Sequence, residues 1–125
     1  MKTSGRSLLG LLLLVLLVDG GNRWWVARSE QALGRQVAAL AQAGDIRMIS
    51  SEHCAICLEA RVWLTQNRVP FGECVIERDS ACRAEHQSLG AQGTPVMVVR
   101  GQPQLGFNAE RLRQTLQRGA TSPGA

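Results

Sequence analysis

The amino-terminal part of the chain is an apolar run behind a basic start. Lys2 and Arg6 precede the apolar residues 8–18, and Asp19 ends the run. This order of charge and apolarity is typical of an export signal. Because a helix rises about 1.5 Å per residue, the run covers roughly half of a bilayer core of about 30 Å, so a signal peptide fits better than a membrane anchor.

Residues 1–20 are therefore predicted to be a signal peptide or, as the alternative, a membrane anchor. Cleavage after Gly20 lacks the usual A-x-A pattern, and a retained leader would place Trp24 and Trp25 at the level of the lipid headgroups. In both cases the basic end stays in the cytoplasm. We expect membrane contact through residues 5–25 and a periplasmic or other extracytoplasmic location, with attachment to the inner membrane if the leader is kept.

Beyond the leader, the spacing of apolar residues changes to helical and strand periods. Ser29 is a predicted helix N-cap, and the helix that follows ends before Gly44, so residues 21–44 are predicted to be a linker and an amphipathic helix. A folded domain is predicted over residues 45–118 and a disordered tail over 119–125. Within the domain, the pattern predicts strands at 45–50, around 75–76, at 96–100 and at 103–107, and helices at 55–67, 80–89 and 109–118, the first with Ile56, Ala60, Trp63 and Leu64 facing inward.

The order of these elements predicts an α/β fold. Strand, helix, strand, helix, hairpin, helix implies one parallel crossover and an antiparallel edge. Because crossovers are right-handed, helices should cover both faces of the sheet in a three-layer fold. The second strand is a near-continuous apolar run, so we expect it to be covered on both faces. A chain of 125 residues has room for one such domain.

The composition argues against a nucleic-acid partner. The net charge is +4, the arginines are scattered without a long basic run, and the aromatic residues are three tryptophans and two phenylalanines. Nucleic-acid-binding domains concentrate basic residues on one face and interleave aromatic residues. We therefore expect no nucleic-acid partner.

The strongest candidate chemistry is the C-A-I-C motif at the start of the helix predicted over 55–67. Cys57 lies one turn after Cys54, so the two sulfurs face the same side and can form a reversible disulfide. Unpaired N–H groups and the helix dipole favour a thiolate at Cys54. Cys54 is the predicted nucleophile and Cys57 the resolving thiol of thiol–disulfide exchange. His53 either favours that thiolate when protonated or is an ordinary exposed loop residue.

A metal site is the main competing hypothesis for the same cysteines. A four-cysteine zinc site usually has two close pairs, whereas Cys74 and Cys82 are eight apart, and the two histidines are not spaced as ligands. Leu58 stands where a C-x-x-C-H haem site needs histidine. We therefore expect no metal ion at these cysteines. The alternative function is a non-catalytic thioredoxin-like binding module or a copper or zinc carrier that uses Cys54 and Cys57.

Cys74 and Cys82 are predicted to form a second, structural disulfide. Export to an oxidising compartment makes the even count of four cysteines meaningful. The bond would tie the end of the second strand to the start of the next helix. Two free buried thiols are the alternative, because the distance between them in space cannot be read from the sequence.

Several motifs together resemble the glutaredoxin branch of the thioredoxin superfamily. The chain has C-A-I-C at a helix start, G-T-P-V about forty residues later, and a hairpin followed by G-F-N-A-E-R-L-R-Q-T-L. The resemblance spans about residues 45–118 and implies a thioredoxin-like fold, with a four-stranded mixed sheet flanked by helices, and thiol–disulfide exchange as the activity. It also implies a cis peptide bond before Pro95 and a substrate segment that pairs with the backbone of Thr94.

The resemblance also indicates partners. Disulfide-containing proteins or small thiols are the expected substrates, together with a redox partner that the sequence does not identify. Glutaredoxins use glutathione, but Ala55 and Ile56 here replace the usual Pro and Tyr, and residues 50–52 lack the basic residue that helps to hold it. Asn108 at a helix start can still bind a carboxylate. Glutathione therefore stays an open candidate, and no tightly bound cofactor is expected.

Overall fold

The computed structural model describes residues 5–120 and divides into two compact units. The first unit, Met1–Ala32, contains most of helix α1 (Gly5–Leu40). The second unit, Leu33–Ala125, contains the last turns of α1 and the sheet.

Helix α1 is unbroken across the predicted boundary between leader and domain. The apolar side chains of residues 8–18 are exposed, and the whole of α1 (Gly5–Leu40) is long and apolar enough to cross a membrane, a property that signal sequences share. The predicted helix start at Ser29 is wrong, because Ser29 lies inside α1 and its Oγ donates to the carbonyl of Val26 at 2.8 Å. Residues 21–28 contain no proline, and a glycine such as Gly21 costs a helix only about 1 kcal/mol relative to alanine, so the helix continues.

The last turns of α1 are part of the domain core. Val37 is fully buried and Ala41 is 8% exposed, and both pack in the main apolar cluster. The folded unit therefore begins at Leu33, earlier than the predicted boundary at residue 45. Burial of one helical face explains why the amphipathic pattern was visible in the sequence.

The second unit is built on a four-stranded mixed sheet in the order β2-β1-β3-β4. The strands are β1 (Ile46–Ser50), β2 (Gly72–Val75), β3 (Val96–Val99) and β4 (Gln102–Leu105). β1 pairs in parallel with β2 and antiparallel with β3, and β3 pairs antiparallel with β4. This architecture confirms the predicted α/β, thioredoxin-like fold.

The two outer strands leave the edges of the sheet open to solvent. β2 is one edge, so the prediction that it is covered on both faces is wrong: its residues are half-buried or exposed, and Gly72 and Glu73 interrupt the apolar run. β4 is the other edge, and Pro103 lies within it opposite Val98. Proline lacks an N–H donor, which agrees with its place on an edge strand.

Helices cover both faces of the sheet, as the crossover rule predicts. Because side chains alternate along a strand, Met48 and Met97 face one side, where they pack in the main cluster with residues of α1, α2 (Ala55–Gln66) and α4 (Ala109–Ala120). Ile49 and Val96 face the other side, where they pack with Cys82 of α3 (Ser80–Ser88). The result is a three-layer domain.

Helix α4 extends into the predicted tail. Gly119 and Ala120 are helical, so the prediction of disorder is wrong for these two residues, and residues 121–125 lie outside the described part of the chain. The Arg100 side chain explains the extension, because its Nη1 donates to the carbonyl of Leu116 at 2.8 Å and it lies against Gly119. A partner for a carbonyl in the last turn of a helix stabilises that turn.

Candidate active site

The C-A-I-C motif lies at the amino-terminal end of α2. Cys54 is the N-cap, with an extended backbone (φ −133°, ψ 103°), and its Sγ accepts a hydrogen bond from the Cys57 N–H at 3.1 Å. The sulfur thus occupies the place that a serine or aspartate oxygen takes in an ordinary N-cap. Free N–H groups and the positive end of the helix dipole favour negative charge at this position.

The two sulfurs are bonded to each other and differ in exposure. The Cα atoms of Cys54 and Cys57 are 5.2 Å apart, and the disulfide joins them across one turn. Cys57 is 1% exposed, whereas Cys54 is half-buried and His53 is exposed beside it. A partner in solvent therefore reaches Cys54 before Cys57.

The segment that ends at Pro95 lies next to the cysteine loop. Ile49 of β1 pairs with Val96 of β3, which brings the carboxyl end of β1 to the amino end of β3. The Thr94–Pro95 peptide bond is cis, as the resemblance implies. Ser51 Oγ and Thr94 Oγ1 are 2.9 Å apart and share a hydrogen bond that joins the two loops. The sequence pattern did not single out Ser51.

Asn108 follows a turn that contacts the same segment. The N–H of Gly106 donates to the carbonyl of Pro95 at 2.8 Å. Asn108 is exposed and caps α4, where its Oδ1 accepts from the N–H of Arg111 at 2.9 Å. The predicted N-cap role of Asn108 is present, and its amide group faces solvent at a helix start.

A polar cleft adjoins the cysteine loop at the β2 edge. Its lining includes Ser51, Glu52, Arg61, Glu73 and Arg78, with an ion pair from Arg78 Nε to Glu52 at 2.8 Å. Arg61 Nε donates to Glu73 Oε2 at 2.8 Å, as part of a two-point ion pair.

The ion pair in this cleft keeps one carboxyl group ionised. The Arg61 guanidinium and, second to it, the Ser50 hydroxyl at 2.7 Å lower the pKa of Glu73, against the opposing effect of burial. Sequence reasoning missed this network. The spacing could have indicated Arg61 as a residue near the cysteine motif, because it is four residues after Cys57 and therefore on the same face of the helix.

Three apolar side chains of α2 are open to solvent. Ile56 is 50% exposed, Leu58 56% and Val62 44%. The prediction that Ile56 faces inward is wrong: the inward stripe is Cys57, Ala60 and Leu64, and Ile56 lies one residue off it. Of the three, Ile56 is the one within the C-A-I-C motif.

Cys74 and Cys82 form a second disulfide in the structure. Their Cα atoms are 6.0 Å apart, and the bond ties β2 to the first turn of α3. Cys82 is 2% exposed, and Asp79 caps α3 by accepting from the N–H of Cys82 at 3.2 Å. This disulfide lies under the α3 face of the sheet, in the cluster that contains Ile49.

Within residues 5–120, no group of three or more His, Cys, Asp and Glu side chains is arranged to hold a metal ion.

Comparison with known proteins agrees with the geometry. Residues 46–103 match the glutaredoxin family model. The thioredoxin-like protein BC3987 is 27% identical over 56% of this chain and 97% of its own, with a TM-score of 0.51, and a mutant of it is 28% identical with the same TM-score. The glutaredoxin from Archaeoglobus fulgidus is 22% identical over 58% of this chain and 86% of its own, with a TM-score of 0.48. The search of curated proteins returned no match.

The family match covers strands β1 to β3, the start of β4 and the cysteine motif, and the cis bond before Pro95 lies within the matched residues. The four-stranded mixed sheet with flanking helices is the thioredoxin-like fold. Residues 46–103 of the chain are therefore similar to glutaredoxins, and the domain has the thioredoxin-like fold.

Proposed function

We propose that this protein is an exported thiol–disulfide oxidoreductase that exchanges its Cys54–Cys57 dithiol or disulfide with disulfides of proteins or small molecules. The family match and the C-x-x-C pair support redox chemistry of thiols. The observation that carries the proposal is the sulfur of Cys54, which caps α2 and accepts the Cys57 N–H at 3.1 Å.

The reaction proceeds through a mixed disulfide. The Cys54 thiolate attacks one sulfur of the substrate disulfide, forms a bond to it and releases the other sulfur as a thiolate, which takes up a proton. Cys57 then loses its proton and attacks the Cys54 sulfur, which releases the second substrate thiol and closes the Cys54–Cys57 bond. Two electrons pass from the cysteine pair to the substrate, and the same steps run in reverse when the pair starts oxidised.

Substrate positioning is assigned to the loop beside the cysteines. An extended segment of the partner pairs with the backbone of Thr94, next to Pro95, as a short strand addition. His53 and Asn108 are proposed to contact the partner, because both side chains are exposed, His53 precedes Cys54, and Asn108 follows the turn in which Gly106 contacts Pro95. The exposed Ile56 within the motif favours a polypeptide substrate, while glutathione remains a candidate small thiol.

Single-cysteine variants test the catalytic roles. Cys54→Ser should abolish reduction of insulin, whereas Cys57→Ser should accumulate a mixed disulfide that mass spectrometry detects. The matched control is the double variant Cys74→Ala/Cys82→Ala, which removes the other disulfide and should keep turnover where the chain stays folded. Full activity of both Cys54→Ser and Cys57→Ser would refute the proposal.

The pH dependence of Cys54 alkylation tests the electrostatic argument. In the reduced Cys57→Ser chain, the alkylation midpoint should lie well below the free-thiol value of about 8.5. A midpoint at or above that value would contradict the capping argument. Stoichiometric copper or zinc that survives purification of the parent, and is lost from Cys57→Ser, would instead support a metal carrier.

Export is proposed from the apolar helix that precedes the domain. The basic start and the exposed apolar run of α1 suit a leader that carries the chain across a membrane to an extracytoplasmic space. A tag at the carboxyl end, expressed in a bacterium with two membranes, should become accessible to protease once the outer membrane is opened. Intact mass then separates a processed leader from a retained anchor. A full-length chain in the cytosolic fraction would contradict export.

A further inference from the structure

A histidine of α3 reaches the loop that contains the cis bond. His86 Nε2 lies 2.9 Å from the carbonyl oxygen of Gly93, two residues before Pro95, and His86 is half-buried. We propose that His86 is a positioning residue that holds residues 93–95 in place for the substrate. This inference rests on the proposed thiol–disulfide exchange.

Helix α3 is a firm support for this contact. Cys82 and His86 are four residues apart, so they share the face of α3 that meets the sheet. The disulfide from Cys82 to Cys74 fixes that helix to β2. A second tie is the hydrogen bond from Arg47 Nη1 of β1 to Glu85 at 2.7 Å. Because the helix is tied at Cys82 and Glu85 to two strands of the sheet, the imidazole has a defined position.

The loop is held from a second direction by the cysteine loop. Thr94 Oγ1 shares a hydrogen bond with Ser51 Oγ at 2.9 Å, so consecutive residues are tied to different parts of the domain. The Gly93 carbonyl is tied to α3 and the Thr94 side chain to the segment before Cys54. The backbone of Thr94 is thereby oriented between two anchors, which lowers the conformational entropy lost when an extended partner pairs with it.

The chemistry of the contact specifies which substitution removes it. A carbonyl oxygen only accepts hydrogen bonds, so His86 Nε2 carries the hydrogen and donates. Glutamine places its amide nitrogen the same number of bonds from Cβ as Nε2, so His86→Gln retains a donor at that place. His86→Leu has a similar bulk without any donor.

The experiment compares steady-state kinetics of the full chain in a mild detergent, with insulin as the substrate. His86→Leu should raise KM about three- to tenfold, as expected for one lost neutral hydrogen bond, with little change in kcat. The midpoint of Cys54 alkylation should stay unchanged, because the bond acts on the loop and not on the thiolate. His86→Gln should restore most of the KM, and Gln87→Leu, at an exposed neighbouring position of α3, should behave as the parent.

Amide hydrogen exchange at Gly106, whose N–H donates to the Pro95 carbonyl at 2.8 Å, gives a readout of this loop that does not depend on activity. Exchange there should be faster in His86→Leu than in the parent and should return towards the parent rate in His86→Gln. Unchanged exchange in His86→Leu, or faster exchange with an unchanged KM, overturns the inference. A parent that does not turn over insulin refutes the proposed function instead, and the exchange rates alone then decide whether His86 holds the loop.

Discussion

The Cys74–Cys82 disulfide should contribute a measurable part of the stability of the domain, and reduction is the cleanest way to remove it. Reduction leaves both sulfurs in place, so the buried volume around Cys82, which is 2% exposed, changes little. The change in free energy of unfolding is then mainly the conformational entropy that the cross-link removes from the unfolded chain.

The loop length sets the magnitude of this effect. The two cysteines are 8 apart in sequence, so the bond closes a small loop. The chain-entropy relation gives about 2.5 kcal/mol for a loop of this size at room temperature. With a urea dependence of about 1–1.5 kcal/mol/M for a small domain, reduction should lower the midpoint of unfolding by about 2 M.

The assay isolates this bond from the other disulfide. A Cys54→Ser/Cys57→Ser background removes the first pair, so reductant acts on Cys74–Cys82. Replacing Trp24 and Trp25 by phenylalanine leaves Trp63 as the remaining tryptophan of the three. Its ring centroid is 5.5 Å from that of Phe107, so its fluorescence reports unfolding of the domain. Urea curves are then compared with and without reductant.

A chain without any cysteine is the control and should respond to neither condition. If the two-cysteine chain has the same urea midpoint with and without reductant while thiol counting shows that the bond has been broken, the entropic argument is refuted. If thiol counting finds two free thiols before any reductant is added, the bond itself is absent in solution.

Two further predictions concern packing and charge elsewhere in the domain. A Cβ at Gly34 would lie 1.8 Å from Asn67 Oδ1, so Gly34→Ala should lower the free energy of unfolding by about 1–2 kcal/mol despite the gain in helix propensity. In urea unfolding, the double variant Gly34→Ala/Asn67→Ala should recover most of that loss. A Gly34→Ala chain as stable as the parent would contradict the close approach. Arg100 lowers the pKa of Asp45, mainly by a hydrogen bond at 3.0 Å, so the pair stabilises the fold above the ordinary pKa of 3.8 and loses this effect as pH falls through the lowered value. The free energy of unfolding of Arg100→Met should therefore be lower than that of the parent by about 1–3 kcal/mol at pH 7, and the two chains should differ less in acid. An equal difference between the two chains at pH 7 and below pH 3 would rule out the charge contribution.

The strands and the helices α2 to α4 could be predicted because their signals are local. The apolar residues Ile46, Met48 and Ile49 mark β1, and Asn108 stands at a helix start, so each element is specified within a few residues of itself. The cysteine geometry is local too, since Cys54 and Cys57 belong to the same helical turn. For these features, tertiary packing and local preference agree.

The remaining features depend on contacts between distant parts of the chain. The even number of cysteines predicts the Cys74–Cys82 bond, but its place under the sheet depends on the parallel pairing of β2 with β1, which puts Cys74 beside Ile49. The contact of His86 with Gly93 depends on where α3 lies against the sheet. The helix start predicted at Ser29 is wrong for a local reason. A serine hydroxyl can donate to a carbonyl within a helix as well as cap one, and no proline near Ser29 stops α1.

The proline in strand β4 affects how copies of this protein meet at high concentration. An open strand edge is a template on which another chain can add its own strand, and aggregation often starts there. Pro103 withholds one backbone donor in the middle of a four-residue edge, so an incoming strand meets a break in the ladder. Strand addition by another chain is therefore disfavoured at the β4 edge. At the other edge strand, β2, the charged side chains of Glu73, Arg61 and Arg78 oppose the same kind of pairing.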